Sequence, residues 1–177
     1  MRLFLALSFP DQVKKSLAAL TDSIRVGAES GRFTREENYH LTLVFLGEQE
    51  KAEPAKRILA RLPRGGFTLT IGQSGRFPRP DGDLIFLSAD GGERLLALQR
   101  EAETACASIG VAPEKRAYRP HVTLVRGFRA GRGFEPEKLL SAFPPLTFPA
   151  ERVSLMSSEF KKGKLCYTEL GGIGLDR

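Results

Sequence analysis

Two short stretches decide the fold: Asn38-Tyr39-His40-Leu41-Thr42-Leu43-Val44-Phe45-Leu46-Gly47 and Arg119-Pro120-His121-Val122-Thr123-Leu124. Each reads as a strand, 40–46 closed by Gly47 and 121–126 entered from Pro120. Side chains of a strand alternate between its faces. His40 and Thr42 therefore share one face, and Leu41 and Leu43 share the other. His121 with Thr123, and Val122 with Leu124, repeat the arrangement. Each strand is expected to bury its apolar face and to present an imidazole and a hydroxyl on the opposite one. These two histidines are the only ones in the 177-residue chain.

Working outward, the two frames belong to a longer repeat. His40-Leu-Thr-Leu and His121-Val-Thr-Leu are 81 positions apart, and so are the apolar runs Leu3-Phe-Leu-Ala-Leu-Ser and Leu84-Ile-Phe-Leu-Ser-Ala. Each apolar run precedes an amphipathic helix. Val13, Leu17, Leu20 and Ile24 mark one face over 11–26, ended by Gly27 and Gly31. Leu95, Leu98, Ala102 and Ala105 mark the other over 92–109. The chain thus reads as two similar lobes of strand, helix and strand. Further helices are expected at 51–62 and 135–142. Strands are expected at 2–9, 67–73 and 83–89, with a terminal hairpin of 151–157 and 164–170. Residues 143–149, FPPLTFP, read as a Pro-rich turn and linker, and 126–132, RGFRAGR, as a basic, flexible loop.

No apolar run is long enough to cross a bilayer, and the N-terminal stretch lacks the basic flank and cleavage site of a signal peptide. Two cysteines, Cys106 and Cys166, read as reduced thiols, with no Cys-x-x-Cys pair to suggest a metal. A cytoplasmic protein without cofactor, metal or membrane is expected. The formal net charge of +6 favours polyanionic partners. Phosphate-loop and Gly-x-Ser-x-Gly patterns are absent, and Gly171-Gly172-Ile173-Gly174 has no helix after it.

Two imidazoles across a cleft suit phosphoryl chemistry needing one base and one acid, because histidine titrates near neutral pH. The threonine hydroxyls can donate hydrogen bonds to non-bridging phosphate oxygens. The residues alone leave the acid and base roles interchangeable.

Asn38 to Leu43 followed by Phe45-Leu46-Gly47, together with Arg119 to Leu124, resemble the two signatures of the two-histidine phosphoesterase superfamily. More narrowly, the chain is similar to the RNA 2′,3′-cyclic phosphodiesterases, historically called 2′-5′ RNA ligases. The likeness includes Met1-Arg2-Leu3-Phe4, Gly75-Arg76-Phe77-Pro78 and Ser157 to Tyr167. The resemblance implies a single bilobal α+β domain over 1–177, a pseudo-two-fold duplication with two antiparallel sheets facing a central cleft and helices outside. It implies hydrolysis of an RNA 2′,3′-cyclic phosphate to a 2′-phosphate, with His40 the proton donor, His121 the proton acceptor, and Thr42 and Thr123 holding the phosphate. Some relatives also join tRNA half-molecules through a 2′-5′ linkage. RNA ends, tRNA fragments among them, are the expected partners of a monomer. Where many relatives carry a pair such as Trp-Val before the first motif, Phe33-Thr34 stands here.

Further candidates for RNA contact are Arg126, Arg119, Phe33 and Tyr167, then Arg116, Lys115, Tyr39 and Tyr118. Strict alternation puts Arg126 on the face opposite His121 unless the strand bulges. Two other readings stay open: a phosphodiesterase for small cyclic nucleotides such as ADP-ribose 1″,2″-cyclic phosphate, and a non-catalytic RNA-binding module.

Overall fold

The computed structural model describes residues 1–176. The elements run β1 (Arg2–Ser8), α1 (Asp11–Val26), β2 (Ala28–Phe33), a 3-10 turn (Glu36–Asn38), β3 (His40–Glu48), α2 (Glu53–Leu59), β4 (Thr68–Phe77), β5 (Asp83–Asp90) and α3 (Gly92–Ala107). They continue with β6 (His121–Ala130), α4 (Pro136–Ala142), β7 (Leu146–Pro149), β8 (Arg152–Lys161) and β9 (Lys164–Gly174). The strands form two wholly antiparallel sheets of order β3-β1-β8-β9 and β2-β6-β5-β4-β7.

The expected α1 stripe is buried: Val13, Leu17, Leu20 and Ile24 face inward. In α3, Leu95, Leu98 and Ala102 are buried and Cys106 joins them, while Ala105 is only half-buried. Both motif strands bury their apolar residues as their alternation requires, with Leu41, Leu43, Val122 and Leu124 at 3% exposure or less. Each such side chain contributes about 1.5–3 kcal/mol of transfer free energy. These residues belong to one continuous core.

The repeat is visible in the pairing. Ser8 lies opposite His40 and Ala6 opposite Thr42, while Ser88 lies opposite His121 and Phe86 opposite Thr123. Both motif strands then bulge at the same place. One step on β1, Ala6 to Leu5, spans two on β3, Thr42 to Val44. One step on β5, Phe86 to Ile85, spans two on β6, Thr123 to Val125. Leu43 and Leu124 are the extra residues. A second irregularity follows in each strand, beside Gly47 (φ 70°) and Gly127 (φ 65°), a conformation that glycine adopts without the usual steric cost.

Two expectations need correction, and one strand went without an expectation. Residues 28–33, across the Gly27 and Gly31 expected to end α1, form a strand, β2. Its Glu29, Ser30 and Arg32 are solvent-facing or half-exposed and hide the apolar pattern, because β2 is an edge strand paired only with β6. The supposed linker 143–149 contains β7, which pairs with β4 and buries Phe148. It tolerates Pro149 because it too is an edge strand, where a missing N–H costs no ladder bond. Residues 126–130 of the supposed loop continue β6, and the terminal hairpin extends to Lys161 and Gly174.

Candidate active site

The same local device anchors both imidazoles. His40 Nδ1 lies 2.7 Å from the carbonyl oxygen of Asn38, and His121 Nδ1 lies 2.7 Å from that of Arg119. A carbonyl only accepts, so each Nδ1 must carry the proton, and in each neutral ring the lone pair sits on Nε2. His40 Nε2 is 3.0 Å from Thr42 Oγ1. His121 Nε2 has no hydrogen-bond partner among the described residues, so its lone pair is free to take a proton.

Aromatic rings brace both. Phe4 (4.9 Å between centroids) and Tyr167 (5.1 Å, edge-on) flank His40. Phe86 (5.4 Å) and Phe77 (6.0 Å, edge-on) flank His121. Phe86 stacks on Phe77 at 4.5 Å and covers Gly75, where any Cβ would overlap its ring. This close approach explains a glycine in mid-strand.

Arg126 enters the cleft because of the bulge at Leu124. With Leu124 and Val125 both buried, the parity of β6 is reversed beyond that point, and Arg126 rejoins the face of His121 and Thr123. Its Nη2 lies 3.5 Å from Thr123 Oγ1. The equivalent bulge turns Phe45, 63% exposed, onto the face of His40, where its ring stands 6.2 Å from Phe4. Strict alternation fails for both residues for one reason.

Burial pushes the His40 pKa down from 6.5 to about 4. The hydrogen bond to Asn38 opposes the fall, and the positive charges of Arg126 and His121 add to it. Strands β3 and β6 pack against each other, so these charges act on His40 across the cleft. Burial also pushes the phenols of Tyr118 and Tyr167 up.

The remaining candidates separate. Tyr167 stands in the cleft against His40 and Phe4. Arg119 is exposed and contributes its carbonyl to His121. Arg116 and Lys115 are exposed in the loop before β6. Phe33, a candidate for RNA contact, is half-buried, lies in register with buried Val125 and packs on the core, with Arg25 4.5 Å over its ring. Tyr39 is core, 2% exposed, its hydroxyl bonded to Thr21. Tyr118 ties the segment before β6 to β3, donating to the Thr42 carbonyl at 2.9 Å. Asn38 and Arg35 were not anticipated. Asn38 Nδ2 and Arg35 Nη2 both donate to the Leu165 carbonyl, at 3.0 and 2.6 Å, and moor the first motif to β9. Among the described residues no cluster of three or more His, Cys, Asp or Glu side chains is placed to hold a metal ion, and no helix is long and apolar enough to cross a membrane.

Two antiparallel sheets that each turn a His-x-Thr strand toward one cleft define a two-histidine phosphoesterase. Comparison with known proteins narrows the class. Residues 9–161 match the model of the 2′-5′ RNA ligase superfamily. The chain is 30% identical over 168 residues to the RNA 2′,3′-cyclic phosphodiesterase of Thermotoga maritima, covering 89% of this chain and 87% of that one. It is 36% identical over 115 residues to the protein of the same name from Aeropyrum pernix, a match spanning 62% of this chain and 65% of that relative. Among solved structures, Escherichia coli LigT complexed with 3′-AMP superposes with a TM-score of 0.79 at 27% identity, over 99% of this chain and 98% of that one. The chain belongs to the 2′-5′ RNA ligase superfamily.

Proposed function

We propose that this protein hydrolyses the 2′,3′-cyclic phosphate at the end of an RNA to a 2′-phosphate, using His40 and His121 as its acid and base. The observation that carries the reading is the matched anchoring of the two rings through Nδ1, which puts the lone pair of each neutral ring on Nε2. His121 Nε2 takes a proton from water as the water oxygen bonds to phosphorus. The bond from phosphorus to the ribose O3′ breaks, and His40, protonated on Nε2, gives its proton to that oxygen. Thr42 and Thr123 donate hydrogen bonds to the non-bridging oxygens, and Arg126 adds a positive charge at the Thr123 side. Tyr167 offers its ring beside the nucleoside, and Arg119 an exposed charge to the approaching strand. The order of acid and base follows the family resemblance and agrees with the free Nε2 of His121. A 5′-hydroxyl in place of water would give a 2′-5′ linkage, so the same site can support ligation.

Burial favours the neutral form of His40. His40 therefore takes up the proton it donates from solvent as the substrate binds, because the phosphate anion stabilises the imidazolium. We further infer that the whole chain works as one bilobal monomer in the cytoplasm, and that RNA ends, including tRNA fragments, are its substrates.

The test is turnover of a short RNA ending in a 2′,3′-cyclic phosphate, in excess EDTA, for the wild type, His40→Ala and His121→Ala. The wild type should release a 2′-phosphate, and each variant should lose roughly 10²–10⁴-fold in rate. An inert wild type that still binds the RNA would overturn the catalytic reading.

A further inference from the structure

Among the described residues no carboxylate pairs with Arg126. It is half-buried, and its one hydrogen bond among the described residues is the long one to Thr123. Directly across the β2–β6 pair stands Arg32, in register with Arg126. Like charges at such a position repel, because paired Cβ atoms are only about 5 Å apart. Arg79 comes from the turn between β4 and β5. That turn presses on the strand beside Arg126: a side chain at Gly82 would run into the backbone of Gly127. The charges of Arg32 and Arg79 both bear on Arg126.

Carboxylates do little to offset this. Asp81 reaches Arg32 at 3.9 Å, but the two side chains are 66% and 74% exposed, and pairs of that kind contribute almost nothing. Asp83 and Glu137 are both engaged by Arg76, at 3.2 and 3.1 Å. Arg126 and Arg32 thus stand side by side next to the threonine that faces the reacting phosphate, the turn that carries Arg79 packs against the same strand, and Asp81 is their one weak acidic partner among the described residues.

We propose that Arg32 and Arg79, with Arg126 as the bridge, form a second phosphate subsite that takes the phosphate on the 5′ side of the terminal nucleoside. This deepens the function proposed above and rests on it: the preferred substrate carries at least two phosphates, as an RNA chain does, and a bare nucleoside cyclic phosphate is a poor one. Guanidinium groups suit the task because they bind phosphate oxygens through charge-assisted, paired hydrogen bonds. Arg126 spans both subsites, with Thr123 on one side and Arg32 on the other.

Binding tests the subsite without any need for turnover. Wild type and the double variant Arg32→Gln/Arg79→Gln are titrated calorimetrically with adenosine 2′-phosphate and adenosine 2′,5′-bisphosphate. The wild type should bind the bisphosphate about tenfold tighter or more, the double variant should bind both alike, and affinity for the monophosphate should change less than about twofold. Both arginines are exposed, so the variant should fold normally, which its urea midpoint verifies. Turnover of adenosine 2′,3′-cyclic phosphate, its 5′-phosphorylated form and the dinucleotide ending in the cyclic phosphate then separates a terminal phosphate from a chain phosphodiester. Both should gain in kcat/KM over the bare nucleotide, and the double variant should lose the gain. Equal affinity for the two ligands in the wild type, or a preference surviving in the variant, would overturn the subsite. Two-phosphate binding without turnover of any cyclic substrate would leave the subsite standing and sink the hydrolytic reading.

Discussion

The His40 ring should make this protein lose stability in mild acid, and a single substitution should remove that loss. In the unfolded chain His40 takes up a proton near its ordinary pKa of 6.5, whereas in the native protein burial holds the value to about 4. Between those limits the unfolded state binds more protons, so native stability falls as pH drops below about 6.5 and levels off near pH 4. The full interval corresponds to about 3 kcal/mol, and at about pH 5 some 2 kcal/mol is already lost. These are upper values, because the ring is partly open to the cleft. His40→Gln keeps an amide near the Asn38 carbonyl but cannot ionise.

The assay is urea unfolding of both proteins at about pH 8 and about pH 5. Carboxylates titrate alike in the two, so the difference between their pH effects isolates His40. The wild type should lose about 2 kcal/mol more than the variant. Equal losses would refute the burial argument. Because the chain has only two histidines, their ring-proton NMR signals give an independent reading. The His40 midpoint should lie near 4 in the free protein and rise when adenosine 2′-phosphate fills the cleft. A midpoint that stays low with ligand bound would argue against His40 as proton donor.

Arg126→Met should lower kcat/KM by roughly 10²-fold while leaving the urea midpoint unchanged or slightly raised, since it also removes the repulsion with Arg32; a large fall in stability would show that Arg126 is structural. Gly75→Val should push Phe86 off the strand, costing about 1–3 kcal/mol and slowing turnover through the loosened His121 ring, measured by denaturation and kcat together. Tyr118→Phe should cost about 1 kcal/mol and lower kcat without changing KM, because it removes a tether to the Thr42 carbonyl and no contact with substrate.

The facing of the two candidate histidines was legible in the sequence because both sit in strands whose neighbours state their own facing. Leu41, Leu43, Val122 and Leu124 are unambiguous core residues, and a period of two then leaves no choice for His40, Thr42, His121 and Thr123. It was silent where a residue's place depends on a partner strand far along the chain. The bulges at Leu43 and Leu124 arise from pairing with Leu5 and Ile85. One clue was present: consecutive apolar residues, Leu43-Val44 and Leu124-Val125, ahead of a glycine in both motifs. Strand β2 was hidden for a related reason, because an edge strand with one partner needs no continuous apolar face.

The bulges also bear on how a duplicated cleft can act on an asymmetric substrate. The two walls present the same imidazole, the same hydroxyl and the same anchoring through Nδ1, so these groups alone could accept a cyclic phosphate in either sense. Orientation has to come from positions where the walls differ. The first such position beyond each threonine on the cleft face is the one that the bulge delivers, and it holds Phe45 on one wall and Arg126 on the other. An exposed ring offers a surface to a base, and a guanidinium offers charge to a phosphate. Exchanging the pair, as Phe45→Arg with Arg126→Phe, should therefore cost far more than either histidine's local geometry would suggest, even with both rings anchored as before.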